Sequence, residues 1–201
     1  MIAVVDYGLG NIRSVSSALK EAGADVTIVN SGTGISKADA IVVPGVGAFA
    51  KAMANIEAMG LYEPIEKWLE SGRPYLGICL GMQVLFSESH EHGVTPGFDR
   101  IRGKVIRFND DVKIPHMGWN QVASRENSAM FEGIKSDSFF YFDHSYYTEP
   151  EDHNAAAGQT QYGAEFISAV ADGNIWGVQF HPEKSSSTGL KLLENFIKNA
   201  C

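Results

Sequence analysis

Short runs of β-branched residues recur through the first half of this chain, each cut off by turn residues and most followed by a segment of helical spacing. No other feature constrains the fold as much, because parallel strands need crossover connections and helices usually supply them. Ile2–Val5 precedes Asn11, which opens a helical pattern with Ile12, Val15, Ala18 and Leu19 that closes near Gly23. Val26–Val29 stops at Ser31-Gly32, and the run over 40–43 stops at Pro44-Gly45. Helical spacing returns over 48–59 and Tyr62–Glu70, residues 74–78 read as another buried strand, and 80–86 as a helix. This is an α/β pattern, a doubly wound, mostly parallel sheet flanked by helices. From about Gly103 the texture changes: 104–108, 138–147, 167–171 and 175–180 are strand-like with few helices between them, an antiparallel, β-rich portion. Asp172-Gly173 is a hairpin signal, and a final helix carries Leu190, Leu193, Phe196 and Ile197.

With 201 residues and 44% apolar composition the chain can bury roughly 70% of its unfolded surface, so one domain over 1–201 is expected. A net charge of −8, with no cluster of Lys or Arg able to track phosphates, argues against nucleic acid as a partner. Asp6 interrupts the N-terminal apolar run too early for a signal peptide, and no apolar stretch is long enough for a bilayer; a cytoplasmic protein without membrane association is expected. Cys79 and Cys201 lie too far apart to suggest a disulfide framework. Cys201 is expected to be an ordinary thiol on an exposed terminus.

Cys79 stands in Gly77-Ile78-Cys79-Leu80-Gly81, where a strand turns into a helix, and the pattern has the form of a nucleophile elbow with Cys in place of Ser. Glycines two residues to either side suit a reversal that brings the backbone against its neighbours. The first turn of a helix would favour thiolate and offer the Leu80 N–H to a developing oxyanion. A free cysteine is otherwise usually a small buried hydrophobe, so the elbow needs support. His181-Pro182-Glu183, after the last strand, supplies a base and a carboxylate. In an extended chain side chains two apart leave the same face roughly 6–7 Å apart, and Pro182 is expected to keep the pair extended. Pro44-Gly45-Val46-Gly47 is a third element, a loop after a strand whose small residues let a ligand approach the backbone. Each of the last two motifs, standing alone, would be an ordinary surface pair or turn.

Other patterns fail on inspection. Gly8-Leu9-Gly10-Asn11-Ile12-Arg13 has Arg13 where a dinucleotide fingerprint needs its third glycine. His181-Pro182-Glu183 lacks the Pro-Cys-x-x-Cys of zinc deaminases, and Ser89-His90-Glu91-His92 has no further ligands and reads as a solvated loop. No metal and no cofactor is expected.

Pro-Gly-x-Gly, Gly-x-Cys-x-Gly-x-Gln and His-Pro-Glu occur here in the order found in the class I (triad-type) glutamine amidotransferases, and the chain resembles that family over essentially its whole length. Within it, Asp6-Tyr7-Gly8-Leu9-Gly10-Asn11, Gly118-Trp119-Asn120, His144-Ser145-Tyr146-Tyr147 and His181-Pro182-Glu183-Lys184-Ser185 are similar to the glutaminases that serve imidazole glycerol phosphate synthesis. The resemblance implies Cys79, His181 and Glu183 as catalytic triad and backbone N–H groups of Val46 and Leu80 as oxyanion hole. It implies Gly47, Gln83, Ser145 and Tyr146 as contacts to L-glutamine. It further implies a heterodimer with a (β/α)₈-barrel cyclase of histidine biosynthesis, met by Asn11, Trp119, Asn120 and Lys184. Two other readings use the same residues: a non-catalytic binding protein on the same sheet, and a cysteine hydrolase that would not require Gln83.

Overall fold

The computed structural model describes residues 1–200; Cys201 lies outside the described residues. The first half alternates as the patterning requires: β1 (Ile2–Val5), α1 (Ile12–Glu21), β2 (Val26–Val29), α2 (Gly32–Ser36), β3 (Ala40–Gly45), α3 (Phe49–Ala58), α4 (Tyr62–Glu70) and β4 (Tyr75–Cys79). These strands pair in parallel in the order β2-β1-β3-β4. Successive side chains on a strand leave opposite faces, so each strand feeds two cores. Ala3, Val5, Ile41 and Val43 pack with Ile56, Ile65 and Trp68 of α3 and α4. Ile2, Val4, Ala40 and Val42 pack on the other face with Val15 and Leu19 of α1. The short helix α2 was hidden in a turn signal: Ser31 is its N-cap, accepting the Gly34 N–H at 3.4 Å.

After β4 the structure departs from the expected helix over 80–86. α5 (Leu80–Gln83) is one turn long, and β5 (Phe86–Ser89) follows within three residues, with β6 (Thr95–Pro96) hairpinned onto it. Val84, Leu85 and Phe86 are all fully buried, and a short buried run has no periodicity to tell helix from strand. Pairing decides it: β5 runs parallel to β7 (Ile101–Arg107), and the Ile101 N–H donates to Leu85.

The remaining strands are β8 (His116–Ser124), β9 (Ser138–His144), β10 (Tyr146–Pro150), β11 (Ala156–Tyr162), β12 (Ala164–Asp172) and β13 (Ile175–Val178), before α6 (Ser186–Ala200). The run over 138–147, expected as one strand, is two, because the chain breaks at Ser145 and passes from one set of partners to another. β13 forms the expected hairpin with β12 around Gly173 and then lies parallel to β4. It carries the sheet on in the order β4-β13-β12-β10-β7-β5-β6. β1, β3, β4 and β13 therefore all end on one rim, where ligands bind in sheets of this kind.

β11, β8 and β9 pair side by side, with β11 also pairing β12, and the inner face of β8 and β9 closes over an aromatic core. Phe140 and Phe142 point inward, and so do His116 and His144, with Nδ1 of His116 2.9 Å from Nε2 of His144. Tyr162 stacks on His116 at 3.9 Å between ring centroids, and Phe108 packs against His144 at 5.2 Å. Burial lowers the pKa of His116 to about 4 and of His144 to about 3, so both are neutral in the fold at neutral pH. In the unfolded chain each takes up a proton near pH 6.5. The unfolded state thus binds more protons below that point, and stability supplied by the pair is complete above pH 6.5 and falls as the medium is acidified toward about 4. We expect unfolding free energy to drop by about 1.4 kcal/mol per pH unit for each histidine across this window. Urea unfolding between pH 7 and 4.5 measures it, and the double substitution His116→Gln, His144→Gln should flatten the profile; an unchanged slope would contradict the assignment.

Candidate active site

Cys79 sits at the junction of β4 and α5 with φ 54° and ψ −107°, a left-handed conformation that costs a non-glycine residue on the order of 1–3 kcal/mol. The neighbouring glycines are demanded by close backbone approach. A Cβ on Gly77 would lie 2.2 Å from the Gly81 carbonyl oxygen, and one on Gly81 would lie 1.7 Å from that of Val43. The turn leaves the thiol only 6% exposed. Since α5 is a single turn, it supplies local N–H groups rather than the full dipole of a long helix.

His181 approaches Cys79 from the segment just after β13, three residues beyond Val178. Its Nδ1 lies 2.9 Å from Oε1 of Glu183, and both side chains are almost wholly buried. The route differs from the extended pair expected: His181 is extended, at φ −103° and ψ 95°, but Pro182–Lys184 forms a 3₁₀ turn with proline at its start. Proline favours that position because a first-turn N–H would have no partner anyway. The turn folds Glu183 back under the ring. Nε2 of His181 and Oε2 of Glu183 have no hydrogen-bond partner within the chain. Burial works against a charged imidazole here, yet the adjoining Cys79 sulfur and the Glu183 carboxylate outweigh it and raise the pKa to about 10. His181 is therefore held protonated across the neutral range.

One site residue escaped the sequence reasoning. Gln179 donates from Nε2 to the Cys79 sulfur at 3.5 Å and accepts from Nε2 of Gln83 at 2.9 Å. Its signal was available, since it stands two residues before His181 near the end of a strand and so leaves the same face.

A cleft of about 180 Å³ opens over Cys79, walled by Val46, Gly47, Leu80 and Gln83 on one side and by Asp143, His144, Ser145 and Tyr146 on the other. Gly45 is in register with Cys79 in the parallel ladder, which carries Val46 and Gly47 alongside the sulfur. Gly47 has φ 106°, suited to glycine. Glu91 also lines this cleft. The segment 89–92, expected as a solvated loop, is folded back by the β5–β6 hairpin; Ser89 is fully buried and Glu91 accepts the Phe49 N–H at 2.7 Å at the start of α3. Among the described residues no group of side chains is arranged to hold a metal ion.

The four remaining residues divide. Trp119 is 52% exposed on the outer face of β8, edge-on to Tyr141 of β9, and Nζ of Lys184 lies 5.3 Å from the Tyr141 ring centre. Met117 and Phe139, more than half exposed, extend this apolar face. Asn120 leaves β8 on the opposite face, and its amide is spent inside the chain on His116 and the Gln161 carbonyl. Asn11, the N-cap residue of α1, follows Gly10, which packs on Pro44 and Gly45. The outer face is tied to His181: the Tyr141 carbonyl accepts the His181 N–H at 2.8 Å, and the Tyr141 N–H donates to the Ser185 hydroxyl, which itself donates to the His181 carbonyl.

Residues 3–200 match the family model described as Glutamine amidotransferase class-I. The chain is 48% identical to the imidazole glycerol phosphate synthase subunit HisH of Desulfitobacterium hafniense, covering 98% of this chain and 94% of that one. It is also 48% identical to the HisH subunit of Aquifex aeolicus, covering 98% and 96%. A chain of the solved PurLQS structure from Thermotoga maritima shares the fold, with a TM-score of 0.75 at 19% identity over 98% of this chain and 97% of that one. No helix of the described residues is long and apolar enough to cross a membrane. A family model that matches residues 3–200 and relatives 48% identical over nearly the full length settle the family: the chain belongs to the class-I glutamine amidotransferases.

Proposed function

We propose that the chain, as a single domain, hydrolyses L-glutamine to glutamate and ammonia and passes the ammonia to the cyclase subunit of imidazole glycerol phosphate synthase. The observation that carries this reading is the buried set of Cys79, His181 and Glu183 at the floor of one cleft. Cys79 adds through sulfur to the amide carbon, and the oxyanion is held by backbone N–H groups of Leu80 and Val46. His181, protonated at rest, gives its proton to the departing nitrogen, so ammonia leaves and a thioester remains. Neutral His181 then takes a proton from water, hydroxide adds to the thioester carbon, and collapse returns the sulfur and releases glutamate. Glu183 holds the ring and balances its charge. Gly47, Gln83, Ser145 and Tyr146 bound the amino-acid end of glutamine, and Glu91, the carboxylate of the cleft that also caps α3, faces its ammonium group.

The ammonia acceptor is inferred from the named relatives. On this reading a (β/α)₈-barrel cyclase turns a phosphoribulosyl-formimino carboxamide ribonucleotide into imidazole glycerol phosphate and an aminoimidazole carboxamide ribotide, in the cytoplasm. The exposed face of Met117, Trp119 and Phe139 beside Lys184 supports a docked protein partner, since a contiguous apolar patch of this kind marks an interaction site. Asn11 lies at the rim of the same end of the sheet; Asn120 is turned inward, with its amide on His116 and the Gln161 carbonyl.

Cys79→Ala should lower glutamine hydrolysis by at least about 10³-fold, while the assembled synthase still forms product from ammonium salt. Retained glutamine-dependent turnover would remove the nucleophile assignment. Glu183→Gln should lose about tenfold to hundredfold less than His181→Ala, because the carboxylate transfers no proton; glutamate release under saturating substrate decides it. The chain alone is expected to be slow, with the Val46 N–H free to turn between Gly45 and Gly47, and the cyclase with its ligand should raise glutamate production by about 10²–10³-fold. Full activity in the isolated chain would exclude such control, and no activity in any combination would favour a binding protein.

A further inference from the structure

Two buried imidazoles lie at the cleft, His144 in its wall and His116 bonded to it from deeper in the fold, and the mechanism uses neither. Their hydrogen bonds run in one direction only. Nδ1 of His144 lies 2.8 Å from the Tyr146 carbonyl oxygen, which can only accept, so the proton of neutral His144 is on Nδ1. Nε2 of His144 is then an acceptor, and its partner, Nδ1 of His116 at 2.9 Å, must carry the proton of that ring. Nε2 of His116 accepts in turn from the Asn120 amide at 3.2 Å. Asn120 is oriented by the Gln161 carbonyl, 3.0 Å from Nδ2, and by the Gln121 N–H, which donates to its Oδ1 at 2.8 Å. At the other end the Tyr146 carbonyl also accepts Nε2 of Gln83 at 3.1 Å.

We propose that His116 and His144 are positioning residues for the amino-acid subsite of the cleft: as neutral Nδ1–H tautomers aligned by Asn120, they fix the Tyr146 carbonyl and through it the Gln83 amide. The inference rests on the glutaminase reading. Ser145 separates β9 from β10, and Tyr146 opens β10 opposite Arg107 of β7, with no β12 partner given to it in the register on its other side. The Ser145 carbonyl is held by the Phe108 N–H at 3.2 Å, and His144 and Gln83 hold the Tyr146 carbonyl. With the carbonyls of both residues tied into the protein, this wall of the cleft keeps one shape. Loss of the His144 donor frees the Tyr146 peptide and leaves Gln83 with a partner that can turn away.

The half-substitutions of His144 separate this role from packing. Asparagine places an amide N–H near the position of Nδ1 and keeps the bond to Tyr146 while giving up His116. Glutamine reaches the position of Nε2 and keeps an acceptor for His116 while giving up Tyr146. Each leaves one buried bond unmade, so both should lower the melting temperature alike. In a Cys79→Ser background, titration calorimetry with L-glutamine should show the His144→Gln chain binding about tenfold more weakly than the His144→Asn chain, the size expected for one lost buried hydrogen bond. Equal affinities in the two variants overturn the proposal alone. Absence of binding already in the Cys79→Ser parent overturns the glutamine reading and the proposal with it. A measurement on the unsubstituted chain stands apart from any folding defect: the nitrogen chemical shifts of both rings should report Nδ1–H tautomers at pH 7, and an Nε2–H tautomer or an imidazolium at His144 would refute it.

Discussion

Where α5 crosses β3, the carbonyl oxygen of Val43 occupies the space that any side chain at residue 81 would need, and the Gly81 carbonyl does the same to residue 77. This double close approach lets the chain reverse within one peptide of β4 and turn straight into a helix. Cys79 is caught at the apex in a conformation it would not choose, and Gly45, its parallel neighbour, brings the Val46–Gly47 loop to the same level. The depth of the cleft, the angle of the thiol and the reach of Gln83 all descend from those two contacts. Hydrophobic cores on both faces of the sheet hold the crossing in place, since β3 and β4 are buried along their whole lengths.

Three buried histidines in one small region are driven to opposite charge states by their surroundings. His181 has a carboxylate on one nitrogen and the Cys79 sulfur toward the other, and the ionised form wins despite burial. His116 and His144 are enclosed by Phe108, Phe142 and Tyr162 with no carboxylate bonded to either ring, and burial wins instead, helped at His144 by the positive charge of His181. The contrast shows why burial alone does not predict the protonation of a histidine: the partner's charge decides. It also fixes what each ring can do, since a protonated base is a proton donor and a neutral tautomer is a rigid spacer with one donor and one acceptor end.

The parallel half of the fold was legible because β-branched runs and helical spacing are strong local signals, as at Ile2–Val5 and over Ile12–Glu21. The elbow glycines could be read for the same reason, through a steric rule that acts within five residues. β8 and β11 could not. They contain glycine, asparagine and glutamine and are strands because of what they pair with, not because of propensity. The 80–86 segment failed likewise, its strand character coming from β7. In the site, Gln83, His181 and Glu183 lay in compact motifs, whereas Glu91 looked like part of a polar loop and Asn120 like a surface neighbour of Trp119. Strand alternation puts Trp119 and Asn120 on opposite faces, a distinction that needs the strand to be recognised first.

Tyr141 carries its ring on the exposed apolar face while its backbone holds His181 by the N–H directly and by the carbonyl through Ser185. His181 is thus hung from a strand whose far side is an exposed apolar face, with a single peptide thickness between them. A protein docked on Trp119 and Tyr141, as proposed, would work on a short lever, because one hydrogen-bonded residue separates that face from the His181 backbone. Communication between the two sides of this sheet requires no long relay, and its range is that of one hydrogen-bonded residue.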